Sequence, residues 1–187
     1  MKYIIALMIW VISFSINAAK VQTNHIDPVT GAKTWAINAH GVHFSLTQIL
    51  PEQVNAFYVN RGFSLEQIKS YASSCVYMTV LRNDVAPGQI HFISNNWSIS
   101  VNNKSHKLVP VSQWVKQLAD IGVKKSSLIA FRWAQFPPEQ KYQPGGNWNQ
   151  GMLSVGLPPE SIFDAIAIWD ISGKKYEAKL TGVQCAK

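Results

Sequence analysis

The stretch TWAINAHGVHFSLT, from Thr34 to Thr47, predicts a β-hairpin and decides the class of the fold. Apolar and polar residues alternate on both sides of His40-Gly41, and glycine readily adopts the positive φ that a two-residue hairpin turn requires. With this turn the register pairs Ala39 with Val42, Ile37 with Phe44, and Trp35 with Leu46. A shift of one residue would destroy the agreement, so we expect one buried face and one polar face.

Similar strand-like patterns recur along the rest of the chain, and turn residues separate them. They cover residues 75–81, 89–93, 97–101, 106–111, 127–133, 152–157, 162–169 and 176–185. A chain of 187 residues is long enough for one domain with a substantial core. The sequence therefore predicts a mainly β domain over residues 19–187, folded as a single β-sandwich with short helical insertions.

Helical insertions are expected near residues 50–73 and 112–121. Pro51 suits the first turn of a helix, and Ser64 with Gln67 has the spacing of a capping box. Ser112 is expected to cap the second insertion, and Gly122 to end it. The first helical pair is interpreted as a lid over an open end of the sandwich, with a partner-binding surface as the alternative. No internal repeat is evident.

Residues 131–152 form a run rich in aromatic, proline and amide side chains, which predicts an ordered, irregular edge of the sandwich. Pro144-Gly145 has the composition of a tight turn. Phe131, Trp133 and Phe136 are expected to anchor the run in the core.

The pattern that follows consists of a strand ending at Gly156-Leu157-Pro158, a strand opened by Phe163-Asp164, and a final hairpin. It resembles the C-terminal half of the immunoglobulin-like β-sandwiches of exported bacterial proteins. Residues 131–156 are also similar to a group of small exported bacterial proteins of unknown function. The resemblance implies an immunoglobulin-like fold and no particular ligand, because one fold serves many functions.

The first residues predict export. Lys2 precedes an apolar run over residues 3–14, and small residues follow up to Ala18-Ala19. This is the pattern of a secretory signal peptide over residues 1–18, with Ala19 starting the mature chain. The run is shorter than the ~20 apolar residues of a membrane span, although an uncleaved anchor is the alternative. We expect a periplasmic or secreted protein with no stable membrane span after cleavage.

Charge and cysteine content narrow the possible functions. The net charge is +7, but the basic residues are scattered, and nucleic-acid binding requires a concentrated basic face. The two cysteines, Cys75 and Cys185, are expected to form a disulfide in an oxidising compartment. A redox-active pair is the alternative, but a Cys-x-x-Cys spacing is lacking.

The expected role is non-catalytic, because no nucleophile elbow, zinc-protease motif or phosphate loop is present. We interpret the chain as an accessory or binding protein of the cell envelope, with an envelope protein or ligand as its unidentified partner. The alternative is a periplasmic copper-binding protein that uses His43, His91, Met78 and Met152, because imidazole and thioether ligands suit copper.

A glycan-binding surface is a further hypothesis. Trp148 lies among the amides of Asn147, Asn149 and Gln150, and an aromatic plane beside amides can stack on a sugar and hydrogen-bond to it. The favoured interpretation is different: Trp148 fills the bottom of the sandwich, and the amides bond to loop backbone.

Overall fold

A computed structural model describes residues 21–187 of the chain. The predicted signal peptide, residues 1–18, and its cleavage site lie outside the described residues. Among the residues that are described, no helix is both long enough and apolar enough to span a membrane.

Strands and helices alternate in blocks along the described chain. The strands are β1 Gln22–Ile26, β2 Lys33–Ala39, β3 Val42–Gln48, β4 Val76–Asn83, β5 Ile90–Ile93, β6 Ser98–Val101, β7 Lys104–Lys107, β8 Glu139–Tyr142, β9 Asn147–Ser154, β10 Ile162–Ile171 and β11 Lys174–Gln184. The helices are α1 Pro51–Val59, α2 Leu65–Ala72, α3 Val111–Asp120 and α4 Lys125–Ala134, and a 3-10 turn covers Ser94–Asn96. The domain is mainly β, as predicted.

Two antiparallel sheets form the framework, which is consistent with a β-sandwich. The first sheet has the order β1-β2-β3-β4-β9. In the second sheet, β11 pairs with β10 along its length. The other edge of β10 pairs with β6 and, further along, with β5. The strands β7 and β8 pair with the outer edges of β6 and β5, respectively. Apolar residues from both sheets bury one another between the two layers.

The predicted hairpin is confirmed in its register. Trp35 pairs with Leu46, Ile37 with Phe44, and Ala39 with Val42. All six side chains belong to the core between the sheets. His40 and Gly41 have φ values of 53° and 79°, as the turn requires, and a Cβ on Gly41 would collide with the backbone of Ala86.

The predicted disulfide is also confirmed. Cys75 and Cys185 are bonded, with their Cα atoms 5.2 Å apart. Cys75 directly precedes β4 in the first sheet, and Cys185 directly follows β11 in the second. The bond therefore joins the two sheets covalently, and both sulfur atoms lie in buried residues.

The four helices form a second core on the outer face of the first sheet, so the prediction of a lid over an open end is wrong. Val76 of β4 and Met152 of β9 point away from the sandwich core and pack among buried helical side chains. The helical members of this second core are Val54, Tyr58, Ile68, Tyr71, Ala72, Trp114, Leu118 and Phe131.

The second insertion is longer than predicted, because residues 127–133 are helical and not a strand. Ser127, Phe131 and Gln135 are buried at intervals of four residues, which is the spacing of one helix face. Trp133 lies on the other side and is 83% exposed, so its expected role as a core anchor is wrong. The predicted cap at Ser112 is also wrong, since α3 begins at Val111 with Pro110 before it and no side-chain cap.

The first helix of each helical hairpin ends in the same way, at positions about sixty residues apart. Gly62 and Gly122 both have positive φ values, 84° and 78°, at the end of the first helix of each pair. The residue after each glycine donates its backbone N–H to a carbonyl five residues back, as in a Schellman motif: Phe63 to Tyr58, and Val123 to Leu118.

A buried polar network ties the helical layer to the first sheet. The Gln135 amide donates to the Tyr58 hydroxyl at 2.7 Å and accepts from the Tyr71 hydroxyl at 2.8 Å. The Tyr58 hydroxyl donates to the Met152 sulfur at 3.4 Å. Burial raises the pKa of Tyr58 and of Tyr71 well above the ordinary value, so both phenols stay protonated donors.

Candidate functional site

The helices cover one end of the outer face of the first sheet and leave the other end open. Ile37, Phe44 and Leu81 point into the sandwich core, so their neighbours along each strand point outward. Cα pairing places four outward residues in one row across the sheet: Asn38, His43, Arg82 and Trp148. The adjacent row consists of Ala36, Ser45, Val80 and Gln150, of which Ser45 is buried. We call the two rows together the open face.

Trp148 supplies an aromatic plane at the border of the open face. It lies on β9, which is the last strand of the first sheet, and its side chain is 46% exposed. The prediction that Trp148 fills the bottom of the sandwich is therefore wrong. A large aromatic side chain left half in water can stack on an apolar ligand surface at little cost in desolvation.

Arg82 and Asp84 form a partly exposed ion pair next to Trp148. The guanidinium makes two hydrogen bonds to the two carboxylate oxygens, and the Nη2–Oδ2 distance is 3.1 Å. The carboxylate raises the pKa of Arg82, so the charge is permanent. Because the pair uses two of the five guanidinium N–H groups, the other three remain available as oriented donors.

His43 lies between Asn38 and Arg82 in the same row. Its Nδ1 atom is 2.9 Å from the Oδ1 atom of Asn38. Since an amide oxygen only accepts, Nδ1 carries the proton and Nε2 is left as an acceptor in the neutral ring. Burial, and secondly the charge of Arg82, lowers the pKa of His43 below its ordinary value of 6.5. The row thus presents donors and acceptors next to an aromatic plane.

A pH-dependent stability follows from His43. Because its pKa is lower in the folded state, the unfolded chain binds more protons, and the contribution to stability is complete only above the unfolded pKa. We expect the free energy of unfolding to fall as the pH drops below about 6.5, and His43→Gln to remove part of this fall. Urea unfolding of both proteins at about pH 7.5 and about pH 5.5 measures the difference. An identical pH dependence in the two proteins would contradict it.

The predicted amide ring around Trp148 is only partly assembled. Gln150 shares the outward face with Trp148, two residues further along β9. Asn147 and Asn149 lie on the opposite face of the strand, where they pair with Asn83 and Leu81 of β4. The amides on the side of Trp148 are therefore those of Gln150 and Asn38, and only Gln150 was predicted.

The four predicted copper ligands do not converge on one site. His43 and Met78 lie on the same face but four residues apart in register, about 13 Å along the strands. His91 is on the second sheet, next to the buried Ile90 and Phe92, and its Nε2 atom is 2.7 Å from Glu139 Oε1. Among residues 21–187 there is also no cluster of three His, Cys, Asp or Glu side chains placed to hold a metal.

The two methionines are close to each other. Met78 and Met152 are paired across β4 and β9, and Met152 is buried while Met78 is half-buried. Met152 belongs to the helical core and accepts the hydrogen bond from Tyr58, so the structure gives it a packing role.

Sequence reasoning missed Arg82 and Asp84. The hairpin register alone does not locate them, because it covers only β2 and β3. Since Asn38 faces His43 in that register, the outward residue of the next strand had to continue the same row. The sequence does not give the register between β3 and β4, so it does not identify Arg82 as that residue.

Comparison with known proteins adds no assignment to this geometry. The chain matches no protein-family model, no curated protein and no solved structure.

Proposed function

We propose that this protein is an exported, non-catalytic binding protein of the cell envelope and that the open face binds a glycan. The observation that carries the proposal is the half-exposed Trp148 beside the row of Arg82, His43 and Asn38, in which His43 is hydrogen-bonded to Asn38. A pyranose ring has an apolar face that suits an indole ring and a rim of hydroxyl groups. Those hydroxyls match the free guanidinium N–H groups, the imidazole nitrogen and the Gln150 amide.

The features of this surface favour a sugar over a strongly charged ligand. Asp84 neutralises Arg82, and His43 is neutral at physiological pH because its pKa is lowered. The remaining members of the open face are small or uncharged, so a ligand could lie flat across the strands. An N-acetylated hexose chain fits because its acetamido groups add amide donors and acceptors.

Export and the immunoglobulin-like type are part of the same proposal. The disulfide between the sheets supports export, because such bonds persist in oxidising compartments. The two-sheet architecture supports an immunoglobulin-like relationship. The uninterrupted order β1-β2-β3-β4 within one sheet departs from the Greek-key connections typical of that type, so the type stays a prediction.

Titration calorimetry with chitotetraose and cellotetraose tests the proposed function. We expect Trp148→Ala to weaken binding of the preferred sugar at least about tenfold, since the stacking plane is lost. The free energy of unfolding should change by no more than about 0.5 kcal/mol, because the side chain is half in solvent.

Trp133→Ala is the matched control, since Trp133 is also exposed and lies on α4, away from the open face. It should bind sugar as the wild type does. No binding of either sugar by the wild type, or equal binding by the Trp148→Ala variant, would refute the proposal.

A further inference from the structure

A second surface, independent of the open face, lies where the helical layer meets the second sheet. It is a groove with a cavity volume of about 380 Å³. Its walls come from the segment after β7, from α3, from the segment after α4 and from β9. Its apolar lining includes Leu108, Val109, Val111, Val115, Phe136 and Leu153. This volume is within the range of small-molecule sites, about 300–1,000 Å³.

Several of these walls are incompletely covered by the protein itself. Val111 and Val115 lie four residues apart on one face of α3, and both are only half-buried. Leu108 and Val109 are half-buried as well. The groove therefore exposes apolar surface that a ligand could remove from water.

Arg132 is the charged residue of the groove. The guanidinium has no ion pair and no side-chain hydrogen bond anywhere in residues 21–187, and no acidic residue lines the groove. Gln135 also lines the groove, but its amide group already donates to the Tyr58 hydroxyl and to the Phe131 carbonyl. Arg132 is thus an available cation at the border of an apolar cavity.

Arg132 also borders a second depression on α4. That depression has a volume of about 290 Å³ and is lined by Ile129 and Trp133 in addition to Arg132. Ile129 and Trp133 are four residues apart on the helix and both are exposed. The cation therefore has apolar surface on two sides, an arrangement that suits the head group of an amphiphile and the chain attached to it.

We propose that the groove binds a single-chain carboxylate amphiphile, with its carboxylate on Arg132 and its alkyl chain against Val111, Val115 and Leu153. The occupant follows from charge complementarity: one unpaired guanidinium matches one carboxylate, and the apolar lining matches an unbranched chain. Burying the chain removes both the ligand and the half-covered walls from water. A carboxylate can also accept two parallel N–H bonds from the guanidinium, which fixes the orientation of the ligand.

Titration calorimetry with dodecanoate, below the concentration at which it aggregates, tests this proposal. We expect one bound molecule per chain. Arg132→Gln should weaken dodecanoate binding at least tenfold. Dodecanol, which has the same chain without the charge, should bind the wild type as weakly as dodecanoate binds this variant. Lys125→Gln is the matched control, because it removes a positive charge from the same helix outside the groove, and it should change binding less than twofold.

Val115→Phe provides a second test that does not depend on charge, since the larger side chain occupies the cavity. It should reduce dodecanoate binding at least tenfold while Arg132 is intact. Absence of dodecanoate binding by the wild type, or equal binding by Arg132→Gln, would overturn the proposal. So would a concentration-dependent dimer that Val115→Phe abolishes, because a second copy would then occupy the groove. Sedimentation with anionic phospholipid vesicles without dodecanoate binding would assign the surface to membranes instead.

Discussion

Alanine in place of Phe131 is expected to lower the free energy of unfolding by about 3–5 kcal/mol, as for other fully buried large aromatics. Phe131 has no exposed surface and lies in the helical core. Its ring is 4.8 Å from that of Tyr71 and 5.3 Å from that of Tyr58, centroid to centroid. Removing it would leave a cavity among α1, α2 and α4 and would loosen the helix that carries Gln135.

Trp133→Ala is the control for this prediction, and it also separates helix from strand. Residues 131 and 133 share a face in a strand but lie on nearly opposite faces of a helix. We therefore expect Trp133→Ala to change stability by no more than about 0.5 kcal/mol, as surface substitutions usually do. Guanidinium unfolding curves of both variants measure the two values. Losses of similar size at both positions would contradict the helical assignment of residues 125–134.

Removal of the disulfide is expected to lower the free energy of unfolding by about as much as Phe131→Ala. The bond joins residues separated by 110 positions, and closing a loop of this length stabilises by about 4–5 kcal/mol in the chain-entropy model. The double variant Cys75→Ala, Cys185→Ala should therefore unfold at a much lower guanidinium concentration than the wild type. The main cause is the greater freedom of the unfolded chain.

Reduction of the wild-type protein provides the matching experiment without a change of sequence. With a strong reductant present, the wild type should unfold close to the midpoint of the double variant. A loss of less than about 1 kcal/mol in both experiments would mean that the bond constrains the unfolded chain far less than its loop length implies.

The parts of the fold that the sequence predicts well are those fixed by local alternation. In the hairpin from Thr34 to Thr47, the turn residues and the apolar pattern specify the same register, so no distant contact is needed. The capping box is local in the same way: Gln67 N–H donates to Ser64 Oγ, and the Ser64 N–H donates to Gln67 Oε1.

Residues 127–133 show where local pattern fails. Apolar residues there satisfy both an alternating and a helical spacing, and short apolar runs do not distinguish the two. Whether the segment forms a helix or a strand depends on residues distant in sequence. Phe131 packs against Tyr58 and Tyr71, and Gln135 bonds to both of their hydroxyls.

Only part of the candidate site could be predicted, again because the site depends on contacts between residues distant in sequence. The sequence predicts an irregular edge over residues 131–152, whereas β9 begins at Asn147 and its alternation puts Trp148 and Gln150 on one face. Even a correctly predicted strand would not show which of its faces is buried. That depends on where the helices pack, and they cover the sheet at Val76 and Met152 while leaving Trp148 open. The row of Asn38, His43 and Arg82 depends on strand pairing across the sheet, which becomes visible only in three dimensions.

Nitrogen–proton correlation NMR during a titration with chitotetraose tests most directly whether the open face binds a glycan. We expect the indole N–H signal of Trp148 and the backbone amide signals of His43 and Arg82 to shift progressively. The indole signal of Trp133, on α4, should stay in place. Shifts confined to the surroundings of Trp133, or no shift at millimolar sugar, would contradict the proposed role of the open face.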